Sequence, residues 1–281
     1  MSDIPSCLPA AKHSLLAFRG PDAVRYLNGQ LTQDVRKLED KALPACVTDA
    51  KGKLQFFVHV FRGPDDSIWI EGPANLAEEL EARLTRYLIA DDVEVENLSE
   101  AWQLVHVPGA ATSPEAADGF ARKASRIGIE GFDLWVPTGT EIPYPALSTE
   151  EAEAARIAAG VPAWNAELTE GMLPPEAGLD RNAISYHKGC YIGQEVLSRI
   201  KTAGKVNRRL ARFTVPAGVK PGDELQLPGA EKSAGVITSV SPVADPSGEF
   251  AALGYVEKAG FESREFRDPG AGALITLNAL L

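Results

Sequence analysis

Residues 188–195, Lys188-Gly189-Cys190-Tyr191-Ile192-Gly193-Gln194-Glu195, read as a tight turn that feeds a helix. Gly189 and Gly193 permit a close backbone approach or a positive φ. The chain changes texture just after this segment. Downstream of about residue 205, short strands are expected at residues 210–215, 224–227, 235–239, 251–255 and 273–277. Pro- and Gly-bearing turns separate them and no helical period persists, which is the pattern of a small β-barrel or sandwich. Upstream, helices alternate with strands of hairpin and meander spacing, so an α+β body is expected rather than a doubly wound parallel sheet. The division falls at 1–204 for the body and 205–281 for the C-terminal β unit.

Within the body, residues 18–27 read as a strand end, a turn and a helix, with Pro21 in the first helical turn. Val24, Leu27 and Leu31 fall at i, i+3 and i+7 and give that helix one buried face. Strands are expected at residues 45–48, 54–61 and 68–70, then a helix over 73–88 with Leu76, Leu80, Leu84, Tyr87 and Leu88 on one side. Further strands are expected at 93–95, 103–107, 127–129 and 132–136, and residues 110–118 read as a solvated loop. Ser148 with Glu151 spells a capping box, and Gly160 suits the end of the helix that follows.

Composition narrows the function. At 281 residues the chain is long enough for two domains, and its 44% hydrophobic and 24% charged content is that of a globular protein. A formal charge of -11 argues against wrapping DNA or RNA, and nucleic acid is not expected as a direct partner. No apolar run reaches the ~20 residues that span a bilayer. The opening Met1-Ser2-Asp3-Ile4-Pro5 has neither the basic nor the apolar part of a secretory signal, so the cytoplasm is the expected compartment. Cys7, Cys46 and Cys190 form no C-x-x-C pair, and His13, His59, His106 and His187 have no ligand spacing; no metal site is expected.

Three features carry chemistry. Cys190 lies near a helix N-terminus two residues after Lys188, an arrangement that favours a thiolate; a small buried hydrophobe is the other reading. Arg199, Lys201, Lys205, Arg208, Arg209 and Arg212 crowd cations into an acidic chain and suit either a solvated face or an anion such as a phosphate or polyglutamate tail. Glu176, in Leu173-Pro174-Pro175-Glu176-Ala177-Gly178-Leu179, is a carboxylate in an apolar turn. It is either an ordinary loop acid or an acceptor for paired N–H donors such as a pterin's amino-pyrimidine edge.

At these residues the sequence resembles the YgfZ-type folate-binding family of iron–sulfur cluster assembly and repair, itself related to the glycine cleavage T-protein, an aminomethyltransferase. The eight residues 188–195 match its signature at every position. The likeness continues in Gly29-Gln30-Leu31-Thr32 with Asp34-Val35, in Arg199-Ile200 and Gly204-Lys205-Val206-Asn207-Arg208-Arg209-Leu210, in Gly235-Val236-Ile237-Thr238-Ser239 and in Ala252-Leu253-Gly254-Tyr255-Val256. The resemblance implies a T-protein-like α+β body of mixed or antiparallel sheets around a tetrahydrofolate site, plus a C-terminal β-barrel. It implies Cys190 as a reactive thiol tuned by Lys188, and Glu176, Lys188, Tyr191, Gln194, Glu195 and Arg199 as folate-binding residues. Arg126 to Leu134 looks like a scaffold segment beside the pocket. Iron–sulfur client proteins, tRNA-modifying enzymes among them, and assembly factors are the implied partners. Any cluster would be shared, transient or bound with an external thiol, because one cysteine falls short of the four protein ligands that clusters usually take.

One departure separates the branches. T-protein relatives carry paired aspartates after the Gly-rich turn that follows the first strand, whereas Gly52-Lys53-Leu54-Gln55-Phe56-Phe57-Val58 places two phenylalanines there. A phenyl ring cannot accept a proton or stabilise a developing cation as a carboxylate does. A folate-dependent accessory protein without classical enzyme activity is therefore the leading expectation. A one-carbon transferase or demethylase is the alternative, and a tRNA-binding factor using the 199–212 cations is a third.

Overall fold

The computed structural model describes residues 5–9, 12–116, 118–268 and 272–281. β1 (Ser14–Arg19) leads through the Gly20-Pro21 turn into α1 (Ala23–Gln30). Asp22 occupies the N-cap, so Pro21 stands ahead of the helix and not in its first turn. Then come β2 (Leu43–Thr48), β3 (Leu54–Arg62), β4 (Ile68–Gly72), α2 (Ala77–Thr85) and β5 (Glu94–Asn97). The five strands form one antiparallel sheet in the order β2-β3-β4-β1-β5. One sheet face packs on α1 and α2 through Leu27, Leu31, Leu80 and Leu84, all fully buried. α2 starts four residues later than the sequence periodicity predicts, because Asn75 takes φ 62° and breaks any helix begun at Pro73.

A second antiparallel sheet, ordered β6-β8-β7, comprises β6 (Trp102–Pro108), β7 (Phe120–Ala124) and β8 (Gly131–Pro137). Here one expectation fails and one strand was not foreseen. Residues 127–129 bend and do not form a strand. Gly128 sits at φ 77°, and a Cβ there would lie 2.4 Å from that of Ala159. The third strand is instead β7, whose Phe-Ala-Arg-Lys-Ala sequence has little of the β-branched character that marks a strand. Phe61, Trp69, Trp102, Phe120 and Trp135 interlock between the two sheets, mostly edge to face.

α3 (Thr149–Ala159) has the expected capping box from Ser148 and Glu151, and Gly160 caps its other end in the left-handed region. A 3-10 turn at Pro174–Ala177 and α4 (Gln194–Ala203) lead into β9 (Arg208–Val215). β10 (Glu224–Gln226), β11 (Ser233–Ala244), β12 (Phe250–Glu257), β13 (Glu265–Arg267) and β14 (Leu274–Leu280) follow. With β9 they close a six-stranded barrel in the order β10-β11-β12-β9-β14-β13. The seam is the single pairing of Gln226 with Arg267. Phe213, Phe266 and Ile275 fill its interior. The molecule is thus α+β with antiparallel sheets and a C-terminal barrel. Among the described residues, no helix is long and apolar enough to cross a membrane.

Candidate functional site

The segment carrying Cys190 is laced onto the end of α1. Ser185 N–H donates to Thr32 O at 2.9 Å, and Thr32 Oγ1 donates to Ala183 O at 2.6 Å. Gln33 Nε2 donates to Asn182 O at 2.9 Å. Ile192 N–H reaches Gly29 O at 3.2 Å, while Thr48 Oγ1 donates to Ile192 O at 2.6 Å. The Gly29-to-Val35 stretch and the 188–195 stretch, remote in sequence, are therefore the two halves of one joint. Gly193 is obligatory there. It takes φ 88°, and a Cβ would lie 2.6 Å from Asp49 O. Gly189 needs neither freedom, for its φ is ordinary and a Cβ there would meet nothing within 4 Å.

Lys188 is the centre of this joint. Its buried ammonium donates to Asn28 O at 2.6 Å, Leu31 O at 2.8 Å and Gln33 O at 2.6 Å. All three donors serve carbonyls at the C-terminal end of α1, where orphan acceptors and the helix dipole favour a cation. Burial pulls this ammonium down to about 7, with Asp34 opposing and Arg36 adding to the pull. Lys188 thus acts as a structural lock between this loop and α1. Tyr191 is buried under Lys188, whose Nζ lies 5.1 Å from the ring centroid. Burial raises its phenol to about 12, and its hydroxyl has no hydrogen-bond partner among the described residues.

Cys190 is exposed, whereas Cys7 and Cys46 are buried. The reading of Cys190 as a buried hydrophobe is overturned. α4 begins only at Gln194 behind the N-cap Gly193, so Cys190 precedes the helix and does not lie in its first turn. Gln194 is half-buried; Glu195 and Arg199 point outward and pair with each other at 2.7 Å, i to i+4. The basic stretch disperses: Lys201 meets Asp180 at 3.4 Å, Arg209 lies over Phe261, and Arg212 donates to Ala158 O. No single anion site gathers those cations.

Glu176 occupies the 3-10 turn Pro174–Ala177, its side chain only 11% exposed. Arg208 at the start of β9 donates Nε–H to Glu176 Oε2 at 3.0 Å, with its guanidinium carbon 4.5 Å over the Tyr255 ring. Tyr255 in turn donates its hydroxyl to Glu167 O at 2.8 Å. Arg208 and Tyr255 help line a cleft of about 880 Å³ on the barrel, with Val236, Lys232 and Lys258. Arg208 thus bridges the desolvated Glu176 carboxylate and the Tyr255 ring face, the two kinds of contact that a flat heterocycle with in-plane N–H donors makes. On β3, Phe56 is buried and stacked with Trp164 at 6.4 Å, and Phe57 meets His59 edge to face at 5.4 Å. β3 carries no carboxylate.

Two buried polar networks escaped the sequence reading. Arg126 donates to Asp133 and, through Nη1, to Glu71 at 2.8 Å; Asp133 also meets His106 Nδ1 at 2.9 Å, and Glu71 meets His59 Nδ1 at 3.0 Å. This chain of charges joins the two sheets. Burial alone would raise the Glu71 carboxyl, but Arg126 and His59 hold it at about 2. Glu167, fully buried, accepts from Arg156 at 2.9 Å, from Thr238 at 2.8 Å and from Ser239. It welds α3 to β11, which accounts for the Thr238-Ser239 pair. Neither network was readable from spacing, because its members are distant in sequence. Among the described residues, no group of three or more His, Cys, Asp or Glu is placed to hold a metal.

No family model matches the chain. It is 29% identical over 248 residues to the tRNA-modifying protein YgfZ of Escherichia coli O157:H7, covering 76% of this chain and 74% of that protein. The protein of the same name from Sodalis glossinidius is 28% identical over 291 residues, covering 93% and 88%. The chain is similar to the YgfZ-type proteins over most of its length. An uncharacterized protein of Haemophilus influenzae is 28% identical over 239 residues, with 81% of each covered. The aminomethyltransferase T of the glycine cleavage system from Bartonella henselae superposes with a TM-score of 0.79 over 98% of this chain and 85% of that one. At 17% identity this likeness establishes the shared fold.

Proposed function

We propose that this YgfZ relative is a cytoplasmic tetrahydrofolate-binding accessory protein of tRNA modification, which supports assembly or repair of iron–sulfur clusters in client enzymes. The observation that carries the reading is the buried Glu176 carboxylate, set beside Tyr255 where the body (1–204) meets the barrel (205–281). Such a group accepts the paired N–H donors of a pterin edge, and removal from water strengthens that contact. The name borne by the relatives supports the link to tRNA modification. Phe56 and Phe57 stand where aminomethyl transfer would require acids, so the ligand is bound rather than used to pass on an aminomethyl group.

Cys190 supplies the exposed thiol, held in place by the Lys188 joint. Acting alone it completes no cluster, so it serves as one ligand or nucleophile shared with a client or an external thiol. Two measurements test the reading. Titration with tetrahydrofolate, followed by calorimetry or tryptophan fluorescence, is expected to show that Glu176→Ala weakens binding by about 2 kcal/mol. Unchanged affinity would remove Glu176 from the site. In cells lacking the protein, Cys190→Ala is expected to fold normally yet fail to restore iron–sulfur enzyme activity. Full restoration would remove the thiol from the function.

A further inference from the structure

The carboxylate read above as the ring anchor already has an internal partner. Arg208 places a flat cation on the Tyr255 face, 4.5 Å from its centroid, and directs Nε–H at Glu176 Oε2 over 3.0 Å. A stacked plane with an in-plane N–H on a carboxylate is the same pair of contacts that a 2-amino-4-oxopteridine makes. The two cannot share them, since Tyr255 is 4% exposed and the Glu176 side chain 11%. Arg208 itself is 35% exposed and forms part of the cleft wall, so its guanidinium can leave without unfolding the barrel. Around that cleft stand three cations, Arg208, Lys232 and Lys258, against one carboxylate, Glu257.

We propose that Arg208 is a built-in competitor for the ring site. The ligand's amino-pyrimidine edge and the guanidinium exchange places on Glu176 and Tyr255. The displaced Arg208 then turns into the cleft and, with Lys232 and Lys258, meets the carboxylates of the ligand's glutamate tail. This rests on the reading of Glu176 as ring anchor. A ring without a tail must displace Arg208 with nothing returned, whereas a tailed ligand regains an ion pair. The site therefore selects folates over free pterins.

Calorimetry on the full chain, with 6-methyltetrahydropterin as the tailless probe and tetrahydropteroyl triglutamate as the tailed one, tests the exchange. Wild-type protein is expected to bind the tailed probe at least about tenfold more tightly. Arg208→Gln is expected to bind the tailless probe about tenfold more tightly than wild type does and to lose most of the preference for the tail. Arg208→Lys, which keeps the charge without the flat fork, is expected to fall between; it decides the matter by its tailless affinity if Arg208→Gln melts early. Tailless binding no tighter in the folded variant overturns the exchange. Glu176→Gln separates the two ideas. If it weakens both probes while Arg208 variants change nothing, only the exchange fails; if it weakens neither, the anchor fails and the exchange with it.

Discussion

At the residue scale, Lys188 shows how a motif lysine beside a cysteine can act on the backbone. Its three short bonds close the end of α1, and through them the loop bearing Cys190 is fixed to the body. Replacing the ammonium with an isosteric apolar chain leaves three carbonyls without their donor. Lys188→Met is therefore expected to lower stability by about 3 kcal/mol in urea unfolding, with partial recovery in Lys188→Arg. An unchanged midpoint would mean that the loop is held by its other hydrogen bonds alone. The Lys188-Gly189-Cys190 spacing was legible in the sequence, but the lysine's partners were not. They lie roughly 160 residues away, and no local rule links a lysine to carbonyls at that separation.

At the element scale, the barrel is fastened to α3 by a buried ion pair and not by apolar packing alone. Arg156 donates to Glu153, to Val161 O and to Ser239 as well as to Glu167. Removing one partner strands the other charge in a dry environment, which is why breaking such a pair costs more than the pair contributes. Arg156→Met is expected to destabilise the protein by about 4 kcal/mol, measured by thermal unfolding. Loss below about 1 kcal/mol would show that water reaches Glu167. The helices and most strands were readable because hydrophobic period and caps are local: the Ser148–Glu151 box is the clearest case. β7 was not, because pairing with β8 makes Phe120–Ala124 a strand in spite of its composition.

At the scale of the whole molecule, the charge chain through Glu71, Arg126 and Asp133 joins the two body sheets and sets the acid limb of stability. Glu71 falls from its ordinary 4.5 to about 2 on folding, so the unfolded chain binds more protons between those values. Stability from this group is complete above pH 4.5 and is lost as pH drops toward 2, by up to about 3 kcal/mol. His59, kept neutral by burial and by Arg126, adds a loss that starts below its ordinary 6.5. Glu71→Gln is expected to flatten the acid limb of a denaturation series from pH 6 to 2; an unaltered slope would place the proton linkage elsewhere. The sequence by itself determined the α+β class, the β texture after residue 205, the cap of α3 and the absence of a carboxylate on β3, because period, turn chemistry and composition are local properties of the chain. Only the tertiary structure decided that Lys188 serves α1, that Glu195 and Arg199 pair on the outside of α4, and that Glu176 faces Arg208 and Tyr255 across the seam between body and barrel. Those facts depend on which distant segments are brought into contact, and a hydrogen bond or ion pair acquires its meaning only when both partners and their distance from water are fixed.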